Sequence, residues 1–136
     1  MRKNKVNFLP KLVYKLCTRG ALLAGSKAKK LSNPEKYKDL ETNDYDLLVP
    51  YNKWEEISLL IPRNSEVNSF GGWKFITKDN DGKTLVEVDI WPDDPINYLT
   101  NLPGEIYLFD YIKNRFYCSD FIRLNMYKNE EDTNKE

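Results

Sequence analysis

Two short stretches of this chain alternate acidic and apolar residues, and the alternation leaves them little conformational freedom. They are Asp44-Tyr45-Asp46-Leu47-Leu48-Val49 and Val86-Glu87-Val88-Asp89-Ile90-Trp91. Along a β-strand, side chains two apart share a face. As a strand, the first stretch turns Tyr45, Leu47 and Val49 toward a core and Asp44 and Asp46 away from it. The second turns Val86, Val88 and Ile90 inward, and Glu87 and Asp89 outward. Strands are depleted in Asp, so Asp-x-Asp opening one needs a reason. If the two strands are neighbours, Asp44, Asp46 and Asp89 converge at one edge of a sheet. Converging carboxylates repel unless a cation fills the gap. Hard Mg²⁺ (or Mn²⁺) takes oxygen ligands and commonly bridges carboxylates to substrate phosphates.

Composition removes the competing chemistries. The chain has no histidine and two cysteines, Cys17 and Cys118. Zinc sites built on Cys/His sets are excluded, as are Ser-His-Asp and Cys-His catalysis. What remains is chemistry on carboxylates, hydroxyls, lysines and a hard metal. At 136 residues, 40% hydrophobic and 31% charged, the chain suits one domain with a real core. No apolar run approaches the roughly 18 residues of a membrane span. Pro10 and Lys11 interrupt the apolar residues behind the basic start, so no signal peptide is expected. Two lone cysteines point to a reducing, cytoplasmic setting.

Charge is unevenly spread. Residues 1–38 hold eleven Lys/Arg and a single acid, Glu35; residues 39–136 hold ten Lys/Arg and twenty Asp/Glu. The first region suits phosphates and the second suits cations.

Helical spacing of Val6, Leu9, Val13, Leu16 and Cys17 predicts a helix over 7–19, capped by Asn7 and ended by Gly20. Ala21–Ala24 reads as a buried strand. Residues 25–43, with Gly25-Ser26, their lysine cluster and Pro34, read as a long loop with room for one helical turn. Asp44–Val49 is a strand ended by Pro50, and Asn52-Lys53-Trp54-Glu55 resembles a capping box opening a helix to Ile61. Residues 62–72 read as a loop. Trp73–Lys78 and Thr84–Trp91 form a hairpin around Asp79-Asn80-Asp81-Gly82. Asp93 or Asp94 caps a helix through Leu99. Strands are expected at 105–111 and 115–118, a last helix at 119–127 and a polar flexible tail at 128–136. This order describes an α+β domain, α/β-like in places, with one mixed sheet and flanking helices.

A third piece joins the two acidic stretches. Ala24-Gly25-Ser26 directly follows a buried strand, where glycine permits a sharp turn and close approach to an anion and Ser26 offers a hydroxyl and an N–H. In this order, Leu23-Ala24-Gly25-Ser26, Asp44-Tyr45-Asp46-Leu47-Leu48-Val49 and Val88-Asp89-Ile90 resemble the DNA-polymerase-β-like nucleotidyltransferase superfamily. The likeness covers about residues 5–100 and implies one nucleotidyltransferase-like domain over 1–127. It implies that Gly25 and Ser26 hold the phosphates of a nucleoside triphosphate such as ATP. Asp44 and Asp46 would bind the metals of a two-metal mechanism, joined by Asp89, which would help activate the acceptor hydroxyl.

Seventeen residues separate Ser26 from Asp44, longer than the compact form of the motif. A second helical domain has no room, which leaves a second copy or a partner protein to complete the site. The acceptor stays open among an RNA 3′ end, a protein hydroxyl and a small molecule. Lys27, with Lys29 and Lys30, either neutralises the triphosphate or forms a solvated loop. Trp91, just past Asp89, offers a platform for a base. Two alternatives use the same residues: a binding module of the antitoxin or inhibitor kind with little or no catalysis, and a metal-dependent nuclease, which leaves Gly25-Ser26 without a task.

Overall fold

Pro10 sets where the first helix begins. It lacks an N–H, and a proline restricts the residue before it to extended backbone. In the computed structural model, which describes residues 9–40, 44–102 and 104–119, α1 accordingly spans Lys11–Thr18 with Pro10 at its N-cap. It starts later than the periodicity predicts, and the expected cap Asn7 lies outside the described residues. Gly20, at φ 120°, ends this segment as expected, and β1 (Leu22–Ala24) follows, wholly buried.

The expectation of a long loop after Gly25 is wrong. Helix α2 (Gly25–Ser32) starts directly at the end of β1. Ala28 is fully buried and Leu31 packs on the core, three residues apart on one helical face. Ala, Lys and Leu are all strong helix formers. The lysine cluster is thus the solvent side of an amphipathic helix.

Strand β2 (Asp44–Val49) has the predicted limits, with Tyr45, Leu47 and Val49 buried, Asp46 half-buried and Asp44 exposed. Helix α3 (Tyr51–Ser58) has Pro50 at its N-cap and no side-chain cap. Asn52 lies inside the helix, so the expected capping box does not form. The next loop contains a two-residue strand, β3 (Glu66–Val67). The hairpin is β4 (Trp73–Lys78) and β5 (Leu85–Pro92), joined through Gly82 at φ 74°. Helix α4 (Pro95–Asn101) is capped by Asp94, which accepts from Ile96 N–H at 3.0 Å. Strands β6 (Tyr107–Asp110) and β7 (Arg115–Cys118) turn at Asn114, φ 50°. The expected last helix, after Ser119, and the tail lie outside the described residues.

Among the described residues there are four helices and one seven-stranded sheet of order β3-β4-β5-β2-β1-β6-β7. β2 and β5 pair in parallel; the other neighbours are antiparallel. The architecture is mixed α+β with a mostly antiparallel sheet. One face carries Leu23, Tyr45, Leu47, Val88 and Ile90, packed with Val13 and Leu16 of α1, Ala28 of α2 and Ile57 of α3. On the other face, Leu22, Ala24, Leu48, Trp91 and Leu108 pack with Leu99 of α4. Each large apolar side chain fully buried contributes roughly 1.5–3 kcal/mol, so both faces stabilise the sheet. Cys17 and Cys118 are free thiols, and burial pushes Cys17 up to about 12, away from thiolate chemistry. No described helix is long and apolar enough to cross a membrane.

Candidate functional site

Parallel pairing of β2 and β5 sets Asp44 opposite Glu87 and Asp46 opposite Asp89. Paired residues share a face, so four carboxylates stand together on the α4 side of the sheet. Across the other edge of β2, Ala24 pairs with Asp46, which brings the start of α2 to the same point. Gly25 has φ 64°, and a Cβ there would lie 2.2 Å from Asp46 Oδ2. Glycine is needed for both the backbone angle and the space. The predicted turn therefore stands against an Asp46 oxygen.

Asp46 feels this crowding. Its carboxyl is pushed up to about 6, first by burial and then by the charges of Asp89, Asp44 and Glu87. Among the described residues, Asp44, Asp46 and Asp89 make no ion pair; Glu87 meets Lys74 at 3.8 Å. Asp89 accepts a hydrogen bond from Asn68 Nδ2 at 3.2 Å. That amide also donates to Trp73 O at 2.9 Å, while Asn68 Oδ1 accepts from Phe70 N–H at 3.0 Å and Gly72 N–H at 2.9 Å. One side chain thus folds the 68–72 loop and holds Asp89.

Tyr98, on α4, completes the centre. Its phenol is raised by burial and then by the charge of Asp46, while a backbone hydrogen bond from Gly25 works the other way. Tyr98 is common to two cavities. One, of about 300 Å³, is lined by Gly25, Ser26, Lys29, Tyr37 and Glu105 among others. Glu105 accepts from the hydroxyls of Tyr37 and Tyr107. The second cavity, of about 490 Å³, is lined by Asp46, Phe70, Trp91, Asp93 and Asn97 among others.

The structure brings Asp44, Asp46, Asp89, Gly25 and Ser26 to one region. Lys27 meets this group only through the charge of Asp44. Its ammonium lies 4.6 Å over the ring of Tyr45, on the core face of β2, and burial lowers its pKa. Lys29 is the lysine that lines a cavity with Gly25 and Ser26, and Lys30 donates to Leu40 O at 2.9 Å. Trp91 shares the face of Asp89 but is only 7% exposed. Its ring meets Phe70 at 5.1 Å and Tyr98 at 6.0 Å, so it forms a cavity wall rather than an open platform. Asn68, Phe70, Tyr98 and Asn97 escape the sequence reading because they come from a loop and a helix with no local motif. The one available signal was the Asp94 cap, which fixes the helix phase that turns Tyr98 inward.

Among the described residues, no group of three or more His, Cys, Asp or Glu side chains is arranged to hold a metal ion. Asp46 and Asp89 nevertheless present hard oxygen donors side by side with no ion pair of their own, although Lys74, opposite Asp89 in β4, brings one positive charge to the group through Glu87. Mg²⁺ is usually bound through one or two carboxylates plus substrate phosphates and water. The donor set therefore suits a metal that arrives with a phosphate. Comparison with family models, curated proteins and solved structures finds no match for this chain.

Proposed function

We propose that this chain is a metal-dependent nucleotidyltransferase that moves a nucleoside monophosphate from a nucleoside triphosphate to an acceptor hydroxyl. The observation that carries the reading is Asp46: half-buried, without a cationic partner, in register with Asp89, and against Gly25 where α2 begins. A helix N-terminus favours anions through its exposed N–H groups and its dipole. In this reading Gly25 and Ser26 bind the triphosphate by their backbone, with Lys29 supplying the nearby positive charge.

Asp46 and Asp89, with Asp44 at the exposed start of β2, would hold Mg²⁺ or Mn²⁺. The metal, when bound, supplies charge neutralisation at the phosphates. Asp89, which accepts a hydrogen bond from Asn68, would accept the proton of the acceptor hydroxyl. The acceptor oxygen forms its bond to the α-phosphorus as the bond to pyrophosphate breaks, and pyrophosphate leaves with that electron pair. The protein's part is mainly positioning and electrostatics.

The test is incubation with each labelled nucleoside triphosphate, Mg²⁺ or Mn²⁺, and cell RNA, protein and small-molecule fractions. Label should transfer with wild type and not with Asp46→Asn, which should stay folded by circular dichroism. A protein that neither transfers label nor gains thermal stability from Mg²⁺ with nucleotide would instead fit the binding-module reading.

A further inference from the structure

The two cavities that meet at Tyr98 differ in charge, and most of the larger one lies beyond the groups assigned to the phosphates. Among the described residues, no lysine or arginine lines it; its charged groups are Asp46 and Asp93. Away from Asp46, a phosphate there would meet Asp93 and no lysine or arginine. The walls are aromatic: Trp91 lies between Phe70 at 5.1 Å and Tyr98 at 6.0 Å. Aromatic faces carry the negative lobe of the ring quadrupole, so rings and carboxylates favour the same ligand charge. That charge is positive. The amides of Asn97 and Asn101, hydrogen-bonded to each other on α4, add neutral donors and acceptors. Phe70 is 55% exposed, so the wall opens to solvent and a ligand can enter. A volume of about 490 Å³ is within the range of small-molecule pockets.

We propose that this cavity binds a small organic cation, an ammonium group on an apolar or flat body, and that this ligand is the acceptor. Its role as acceptor rests on the transfer reading above; its binding does not. The arrangement places the charge of such a ligand between Asp93 and the rings of Trp91 and Phe70. The ligand's hydroxyl then faces Asp46 and its neighbour Asp89, across Tyr98 from Ser26 and Lys29. The acceptor is thereby narrowed from RNA, protein or small molecule to a small, positively charged alcohol.

The test is binding without nucleotide. Full-length protein labelled with ¹⁵N is titrated with phenethylamine, with its neutral counterpart phenethyl alcohol, with anionic phenylpropionate and with adenosine. Phenethylamine should shift the Trp91 indole N–H and the Asn97 and Asn101 amides, with phenethyl alcohol roughly tenfold weaker and phenylpropionate silent. Phe70→Ala and Asp93→Asn, both at sites open to solvent, should each weaken phenethylamine binding several-fold and leave the rest of the spectrum in place. Adenosine or phenylpropionate binding there more tightly than phenethylamine would overturn the inference. So would unchanged binding in both variants. Cation binding without any nucleotidyl transfer would keep the cation site and remove both the transfer reading and the acceptor role; transfer without cation preference would keep the transfer reading and overturn this inference.

Discussion

The two faces of the β2–β5 pair are made from alternate residues of the same strands, yet different physics governs them. On the core face, Leu47, Val88 and Ile90 are fully buried under three helices. On the other, Asp44, Asp46, Glu87 and Asp89 lie in register, and only farther along do Leu48 and Trp91 return to apolar packing. The first face stabilises the fold by excluding water and is sensitive to volume. The second costs stability and is sensitive to charge. Stability and the proposed chemistry thus share strands without sharing side chains.

Four substitutions test that division, in falling order of effect. Leu47→Ala, at a fully buried site, should destabilise by about 2–5 kcal/mol through lost transfer energy and a cavity. Denaturant melts measure it, and a loss under 1 kcal/mol would mean that this face is loosely packed. Gly25→Val should cost about 1–3 kcal/mol from the positive φ, with further displacement of Asp46. It should also weaken nucleotide triphosphate binding more than nucleoside binding, as calorimetry with both ligands would show. Asn68→Ala should cost about 1 kcal/mol, because Phe70 and Gly72 N–H lose a partner in a part-exposed loop. Its sharper signature would be loss of transfer with triphosphate affinity retained.

Asp46→Asn has the smallest effect and the opposite sign. An Asp whose folded pKa is about 6 against roughly 3.9 unfolded binds its proton more tightly when folded. Stability from this group is therefore greatest below about pH 4 and falls as pH rises through about 6. Asp46→Asn should stabilise the apo protein at pH 8 by about 1 kcal/mol or less after solvent screening, seen as a higher melting temperature. At pH 4 it should change little. Melts of both proteins across that range decide it: a wild type at least as stable as the variant at pH 8 would mean that Asp46 is compensated.

How far the sequence carried follows from what kind of signal each part leaves. β2 and β4 were legible to the residue and β5 within one, because alternation at period two is local and survives burial on one face. Convergence of Asp44, Asp46 and Asp89 was legible only as a condition, since pairing of distant strands leaves no local trace. α2 was missed because three lysines in five residues mask a face made of just Ala28 and Leu31. The Asn68 hub was invisible for another reason. Its partners include backbone groups of Trp73 and Ile90 and the side chain of Asp89, all supplied by other strands.

The parallel pairing of residues 44–49 with 87–92 has a kinetic consequence. The β4–β5 hairpin closes a short turn and can form early, whereas β2 must find β5 across the intervening α3, β3 and β4. Contacts between distant parts of a chain form late, because loop closure comes before they return any free energy. The step that docks β2 is also the one that forces Asp46 against Asp89. Electrostatic repulsion therefore opposes the last stage of assembly, and refolding is expected to run faster at pH 5 than at pH 8. Asp46→Asn should erase most of that difference. The crowded carboxylates would then act, before any ligand arrives, as a brake on the formation of their own site.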